Sequence, residues 1–519
     1  MSGIHKLIAY LVSLALLLLV VEGGLRVLGF GPRPTMNQFD PVLGWTKTPS
    51  TSLRRHTGEF DVLLTTNSRG LREDESVGYE KPQGTTRVLL VGDSFTLGYT
   101  VDEPDTLSRM LQNELRSEGR SAQVINGGTE GYSTDQEVLW LAREGRRYAP
   151  DVVVLQMYEN DVFWNGQDRY LRYPKPHLDP SAPPDAVLGD LPKLEDPGRE
   201  PWLQRSTAVG GLLGRLFAAP AIPMLPGSPP LPAEWSVRIR DDASGWPETR
   251  AALRAFAAVA RTIGAKPLVL VIPDKAQVDR AARAAMSEVI RDPAYDPGRP
   301  YAGMVAAAEA ASLPIVDPLA AMAKVADPGA RALYFAKDWH TNALGNRVLA
   351  DELTHALASP ALLGAPTRAA APLTLPPAKA PSRLAGLLRS AAIVIAAWLL
   401  FGTLYWQRFP NEGAALSYAS VGALVGLVVA IFVGVDWLVW LLPPWLSRWA
   451  SMALVIGLLG AIVWYLRARL PVMGELFGTF VRRGQWYLLP VLVGLLSVGA
   501  LLVVAASSPW LAPFIYTLF

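Results

Sequence analysis

The chain has 519 residues, half of them hydrophobic and 18% charged. That is too apolar for an ordinary soluble protein and too polar for a pure membrane protein, so a mixed architecture is expected. A formal net charge of +2 provides no global field for nucleic acid, and the absence of cysteine excludes disulfides and cysteine-based metal sites.

The first apolar run, 4–21, is long enough to reach across a hydrocarbon core of about 30 Å. A cleaved signal peptide is the alternative. Such a peptide should end in an Ala-x-Ala-like site, and Val20-Val21-Glu22-Gly23-Gly24 is a poor one. Residues 1–29 therefore read as an uncleaved anchor, with Glu22 and Arg26 spaced i, i+4 for pairing where the helix leaves the membrane.

Residues 30–358 read as an α/β domain. Apolar, β-branched strands are expected at 87–91, 123–125, 152–156, 267–272 and 313–316. Helices fit 105–115, 134–147, 248–263, 276–290 and 343–356. Near-continuous apolar strands alternating with helices predict a doubly wound, flavodoxin-like parallel sheet covered on both faces. The rhythm is interrupted by a proline-rich insert at about 173–235, which reads as a lid or substrate rim, or as a plain solvated loop. A short amphipathic helix is expected within it at 212–219.

An Ala/Pro-rich linker, 359–383, should be extended. Beyond it, 384–519 carries four apolar stretches long enough to span, 384–406, 414–442, 450–466 and 486–506. Arg467, Arg469, Arg482 and Arg483 mark the last long connection as cytoplasmic, and counting back through the spans places 30–358 outside. The expected setting is a bacterial inner membrane, with the lipid bilayer as a partner. Asp436 is the main charge within these spans, either functional or interfacial beside Trp437 and Trp440.

Chemistry concentrates at four strand ends. The first strand runs into Gly92-Asp93-Ser94-Phe95, where an open parallel sheet presents its residues to a cleft. The second ends in Asn126-Gly127-Gly128, where glycine leaves a backbone N–H facing the cleft. The third ends in Glu159-Asn160-Asp161, and an asparagine there can donate to a developing oxyanion. Near the domain's end comes Asp338-Trp339-His340, close enough in sequence for the carboxylate to orient the imidazole. Serine, histidine and carboxylate then complete a triad. The chain holds only five histidines. His5 is at the membrane end, His177 is in the insert and His355 is within a helix, which favours His340.

These four blocks resemble, in order, those of the SGNH, or GDSL-type, hydrolase superfamily. The upstream stretch Thr66-Asn67-Ser68-Arg69-Gly70-Leu71-Arg72 is similar to bacterial members linked to surface polysaccharides. The resemblance implies the SGNH three-layer fold, Ser94 as nucleophile, His340 as general base and Asp338 as its orienting partner. It further implies an oxyanion hole from the N–H groups of Ser94 and Gly128 and the Asn160 side chain, and no cofactor or metal. Phe95 departs from the leucine of the GDSL group, Tyr158 stands where glycine is common, and Asp338 lies two residues before His340 instead of three.

The C-terminal tail, 505–519, resembles the end of a small uncharacterised bacterial membrane-protein family. Residues 384–469 resemble a small membrane family named for the saxitoxin gene cluster. No histidine follows His355, whereas membrane-bound O-acyltransferases are expected to use an intramembrane histidine, so this half reads as an anchor or docking unit. The expected activity is a serine esterase or O-acyltransferase working on acyl groups, acetyl foremost, of an extracytoplasmic glycan or glycolipid. A separate membrane acyl donor or polysaccharide machinery is the expected partner, and nucleic acid is not. The alternative is a non-enzymatic assembly or scaffold subunit of a polysaccharide system.

Overall fold

The computed structural model describes residues 35–366, apart from short gaps at 58, 190, 192, 199–201, 218–223, 226–230, 244 and 327–331, together with parts of 4–26 and 395–423. The expected spans at 450–466 and 486–506, most of 384–406 and 414–442, most of the linker, Asp436, Arg467, Arg469, Arg482 and Arg483 lie outside the described residues. Among the described residues, no helix is long and apolar enough to cross a membrane. The chain divides into two compact units, one of 1–32, 201–217 and 380–519, the other of 33–200 and 218–379.

The second unit is built on five parallel strands: β1 (Thr86–Val91), β2 (Ala122–Asn126), β3 (Val152–Met157), β4 (Lys266–Val271) and β5 (Ile315–Val316). They lie in the order β5-β4-β3-β1-β2, with Leu89 opposite both Ile125 and Val153. This is the flavodoxin-like doubly wound order, and its switch point falls between β1 and β3.

Side chains alternate across each strand, so one sequence feeds two cores. Leu89, Val91, Ile125, Val153, Leu155, Val269 and Val271 face one side. There α3 (Thr134–Arg143), α5 (Trp246–Thr262) and α8 (Arg299–Ala310) cover them through Val138, Phe256 and Met304. Val88, Leu90, Val124, Val154, Leu268 and Leu270 face the other side. They meet Leu111 and Leu115 of α2 (Leu107–Ser117), Met322 of α9 (Leu319–Ala326) and Leu349 and Leu353 of α10 (Ala343–Leu357). Burial on both faces explains why the strands read as unbroken apolar runs.

Among the described residues, four further α-helices complete this unit's set. Helices α1 (Ser94–Leu97) and α4 (Glu159–Asn165) follow β1 and β3 closely. The helix expected at 276–290 is two, α6 (Lys275–Val278) and α7 (Arg280–Ile290), because Asp279 leaves helical geometry and caps the second through Ala281 N–H and Ala282 N–H. The N-terminal part of this unit holds two antiparallel hairpins, Asn37–Asp40 with Gly44–Lys47 and Ser52–His56 with Asp61–Thr65. Their strands of four and five residues are too short to show a periodicity in the sequence.

In the other unit, the described part of the insert forms helices Trp202–Ser206 and Ala208–Phe217, the second beginning four residues before the expected position. Glu22 pairs with Arg26 at 2.7 Å, and its carboxylate accepts the N–H groups of Ala208 and Val209. It therefore fills the N-cap role for the second of these helices.

Candidate active site

Ser94 opens α1 at the carboxyl end of β1, on the β1 side of the switch point. Asp93 caps the helix by accepting the Phe95 N–H at 2.8 Å. Gly92 is tied to this turn by contact: a Cβ there would come within 2.2 Å of Thr96 Oγ1 and 2.6 Å of Gln156 Oε1. That glutamine, on β3, accepts from both the backbone and the hydroxyl of Thr96.

The fourth block reaches the serine through a local excursion of the chain. Residues 333–342 form a tight excursion closed by Phe335 N–H to His340 O and Asn342 N–H to Leu333 O, at 2.9 and 3.0 Å. Asn342 then caps α10. At the tip, Trp339 takes a φ of +68°. This left-handed residue turns the chain so that Asp338 and His340, separated by one position, bring their side chains together. Asp338 Oδ1 lies 2.5 Å from His340 Nδ1, and His340 Nε2 lies 2.8 Å from Ser94 Oγ. Serine, imidazole and carboxylate therefore form one unbroken hydrogen-bonded line.

Electrostatics favour a charged carboxylate at its end. Burial opposes ionisation of Asp338, but hydrogen bonds from His340 and Tyr99 and the imidazole's charge outweigh it, and the carboxyl is held below its ordinary range. Tyr99 Oη donates to Asp338 Oδ2 at 3.1 Å. Asp93 goes the other way. Its complete burial raises its pKa against the opposing effects of His340, the Phe95 N–H and Asn160.

The expected oxyanion donors fare differently. Asn160, the second residue of α4, places Nδ2 3.5 Å from Asp93 Oδ2, the same oxygen that lies 3.5 Å from Ser94 Oγ. Its amide is thus at the serine's side of the switch point. Gly128 lies against α1, where a Cβ would come within 2.2 Å of Leu97 N, so the close backbone approach is real. Its N–H, however, donates to Asn126 Oδ1 at 3.1 Å. The asparagine opening the second block takes the hydrogen bond that the sequence reading assigned to an oxyanion. Gly131, three residues on, holds a φ of +76° with the Tyr170 ring against it.

Two sequence departures prove to be partners. The Phe95 and Tyr158 rings lie 4.4 Å apart, and Phe95 lies 4.4 Å from the His340 ring. Tyr158 is fixed by its hydroxyl, which donates to Asp274 Oδ2 at 2.8 Å. Phe95 walls one side of the imidazole. Asp274 also belongs to a buried cluster in which the Arg238 guanidinium bonds Glu159 and Asp274. Sequence reasoning passed over Glu59, Tyr99, Arg238 and Asp274, because their partners are 36 to 279 residues away. Among the described residues, a metal-ligand grouping occurs only at Asp351, Glu352 and His355, on α10.

Comparison with known proteins finds similarity over parts of the chain. Residues 232–394 match the family model described as SGNH hydrolase-like domain, acetyltransferase AlgX. The match includes Asp338 and His340 and begins after Ser94. Residues 470–519 match a family of unknown function, DUF5989. An arylesterase of Vibrio mimicus is 28% identical over 79 residues, 15% of this chain and 40% of its own length, so the chain spans less than half of that relative. Similar solved structures include a lipase/acylhydrolase from Enterococcus faecalis, 16% identical with a TM-score of 0.30, covering 52% of this chain and 95% of that one. Another is a catalytic mutant of the acetylxylan esterase Axe2 from Geobacillus stearothermophilus, 13% identical with a TM-score of 0.28, covering 53% and 96%. With four ordered sequence blocks, a matched family model over 232–394 and a doubly wound sheet, the α/β unit of this chain is similar to the SGNH/GDSL-type hydrolases.

Proposed function

We propose that this chain is a serine esterase or O-acyltransferase that acts on acyl esters, acetyl foremost, of a glycan or glycolipid outside the cytoplasm. The observation that carries the reading is the line Ser94 Oγ, His340 Nε2, His340 Nδ1, Asp338 Oδ1, with steps of 2.8 and 2.5 Å. His340 takes the Ser94 proton as Oγ attacks the ester carbonyl, and Asp338 stabilises the imidazolium. The tetrahedral oxyanion is met by the Ser94 N–H and the Asn160 amide. Collapse returns the proton to the departing alkoxide and leaves an acyl-serine. Water or a sugar hydroxyl then attacks, giving its proton to His340, which passes it to Ser94 Oγ as the acyl group leaves as acid or new ester. The acetyl group is supported by the family match, whose description names an acetyltransferase, and the glycan by the likeness of residues 66–72 to bacterial members linked to surface polysaccharides. The extracytoplasmic membrane setting is supported by the apolar segments and arginine placement in the sequence.

The test is covalent labelling by a serine-directed fluorophosphonate. Wild type should label and Ser94→Ala should not. Equal labelling of the variant would remove Ser94 from the mechanism. Transfer is separated from hydrolysis by following an acyl group from a donor ester to a sugar acceptor by mass spectrometry.

A further inference from the structure

The segment upstream of β1 carries no block of the triad and lies outside the matched family models, yet it grips both halves of the serine–histidine line. The first grip is at the tip of the hairpin Ser52–His56 with Asp61–Thr65. Glu59 there accepts the backbone N–H groups of Lys337 and Asp338, each at 3.0 Å. Next to it, the Phe60 ring lies 5.4 Å from Phe335 and 6.2 Å from Tyr99, and Tyr99 is the tyrosine that donates to Asp338. Arg55, from the same hairpin, stands 4.1 Å over the Tyr99 ring and pairs with Glu130 at 2.9 Å.

The second grip comes from the stretch Asn67-Ser68-Arg69-Gly70-Leu71-Arg72. Asn67 Oδ1 accepts Arg69 N–H and Leu71 N–H, both at 3.0 Å. Gly70 is left-handed, at φ +74°, with Lys47 O 2.8 Å from where a Cβ would be. This turn delivers Arg72, which is buried, to the far end of α1. Its guanidinium donates to Leu97 O at 2.9 Å, to Gly98 O, and to Val101 O at 2.8 Å. Glu73, the next residue, accepts Asn126 N–H at 2.9 Å, and Asn126 Nδ2 donates to Thr96 O at 2.8 Å.

Both gripped elements need outside support. Helix α1 is a single turn, and one turn of helix does not hold itself. The Asp338–His340 tip contains a non-glycine residue at positive φ, a conformation that persists only when its surroundings impose it. We propose that residues 52–73 are part of the reaction machinery, with Glu59 the positioning residue for Asp338 and His340 and Arg72 the positioning residue for Ser94. This rests on the serine-enzyme reading above.

The test measures, on the full chain, the second-order rate of fluorophosphonate labelling, and kcat and KM for p-nitrophenyl acetate. Misplacing a reacting group by about 1 Å costs on the order of 100-fold, so Glu59→Ala and Arg72→Met should each label and turn over about 10- to 100-fold more slowly. KM should stay within about twofold, because binding of so small an ester is untouched. Glu59→Gln, which keeps an acceptor in place, should recover most of the rate, and Arg72→Lys part of it. A purely structural role predicts instead a lowered melting temperature with the wild-type labelling rate per folded molecule. If Ser94→Ala is unlabelled while Glu59→Ala labels at the wild-type rate, the positioning inference is overturned and the serine reading stands. If Ser94→Ala still labels, the serine reading itself fails. Should Arg72→Met not fold, the Glu59 pair decides alone.

Discussion

At the scale of single residues, the one-position gap between Asp338 and His340 depends on Trp339. In a helix, residues two apart point in different directions, and in a strand they share a face but stand roughly 6.5 Å apart. The left-handed backbone at Trp339 brings the two side chains together, and its ring lies 5.5 Å from Lys275 Nζ and 5.6 Å from the Arg238 guanidinium. Those contacts help to hold an otherwise unfavourable φ. The Asp338 carboxylate fixes which imidazole nitrogen carries the proton. Asp338→Asn should therefore reduce kcat for ester turnover by about 10³-fold or more while leaving KM little changed. Steady-state kinetics on p-nitrophenyl acetate checks this, and a loss under tenfold would mean that the carboxylate is dispensable. The aspartate and histidine were legible in sequence because the residue types are chemically specific. Trp339's φ was not legible, since nothing in a tryptophan announces a positive φ.

At the scale of elements, the loop after β2 rests on a buried lysine. Lys47, in the strand Gly44–Lys47, donates to Gly128 O and to Thr129 Oγ1. Burial pushes its pKa down from 10.5 to about 7. An unfolded lysine keeps its proton until about pH 10.5. Between pH 7 and 10.5 the unfolded chain therefore binds more protons than the folded one, and stability rises with pH through that window. Below it, the ammonium's burial cost is fully present. Lys47→Met abolishes this dependence, so the stability of wild type relative to the variant should increase from pH 7 to pH 9.5. Denaturant midpoints of the two proteins at both pH values measure it, and an unchanged difference would refute the assigned role of burial. The five parallel strands were visible in the sequence because burial on both faces makes each an apolar run. The hairpins were not, because a strand of four or five residues with exposed alternate positions resembles a loop. For the same reason Gly128 was recognised as a close-approach glycine, while the engagement of its N–H by Asn126 was hidden: an asparagine two residues away can fold back on the chain or point elsewhere.

At the scale of the whole molecule, the proposed extracytoplasmic setting rests on the arginine distribution of the sequence and predicts that 30–358 is translocated. Alkaline phosphatase fused after residue 358 should then be active and β-galactosidase at the same point inactive. The reverse pattern would place the α/β unit in the cytoplasm. The structure adds a connection between parts that composition kept separate. The insert helices Trp202–Ser206 and Ala208–Phe217 group with the chain's N- and C-terminal segments, and Glu22 and Arg26 hold them by hydrogen bonds to Ala208, Val209 and Ser206. By itself the sequence determined the sheet's strands, the identity of the serine, histidine and aspartate, and their order at the strand ends. These follow from local pattern and side-chain chemistry, which a chain displays without folding. Only the tertiary structure decided that Phe95 and Tyr158 pack together, and that Glu59 and Arg72 reach the site. Those outcomes depend on contacts between residues distant in the chain, whose partners no local pattern specifies.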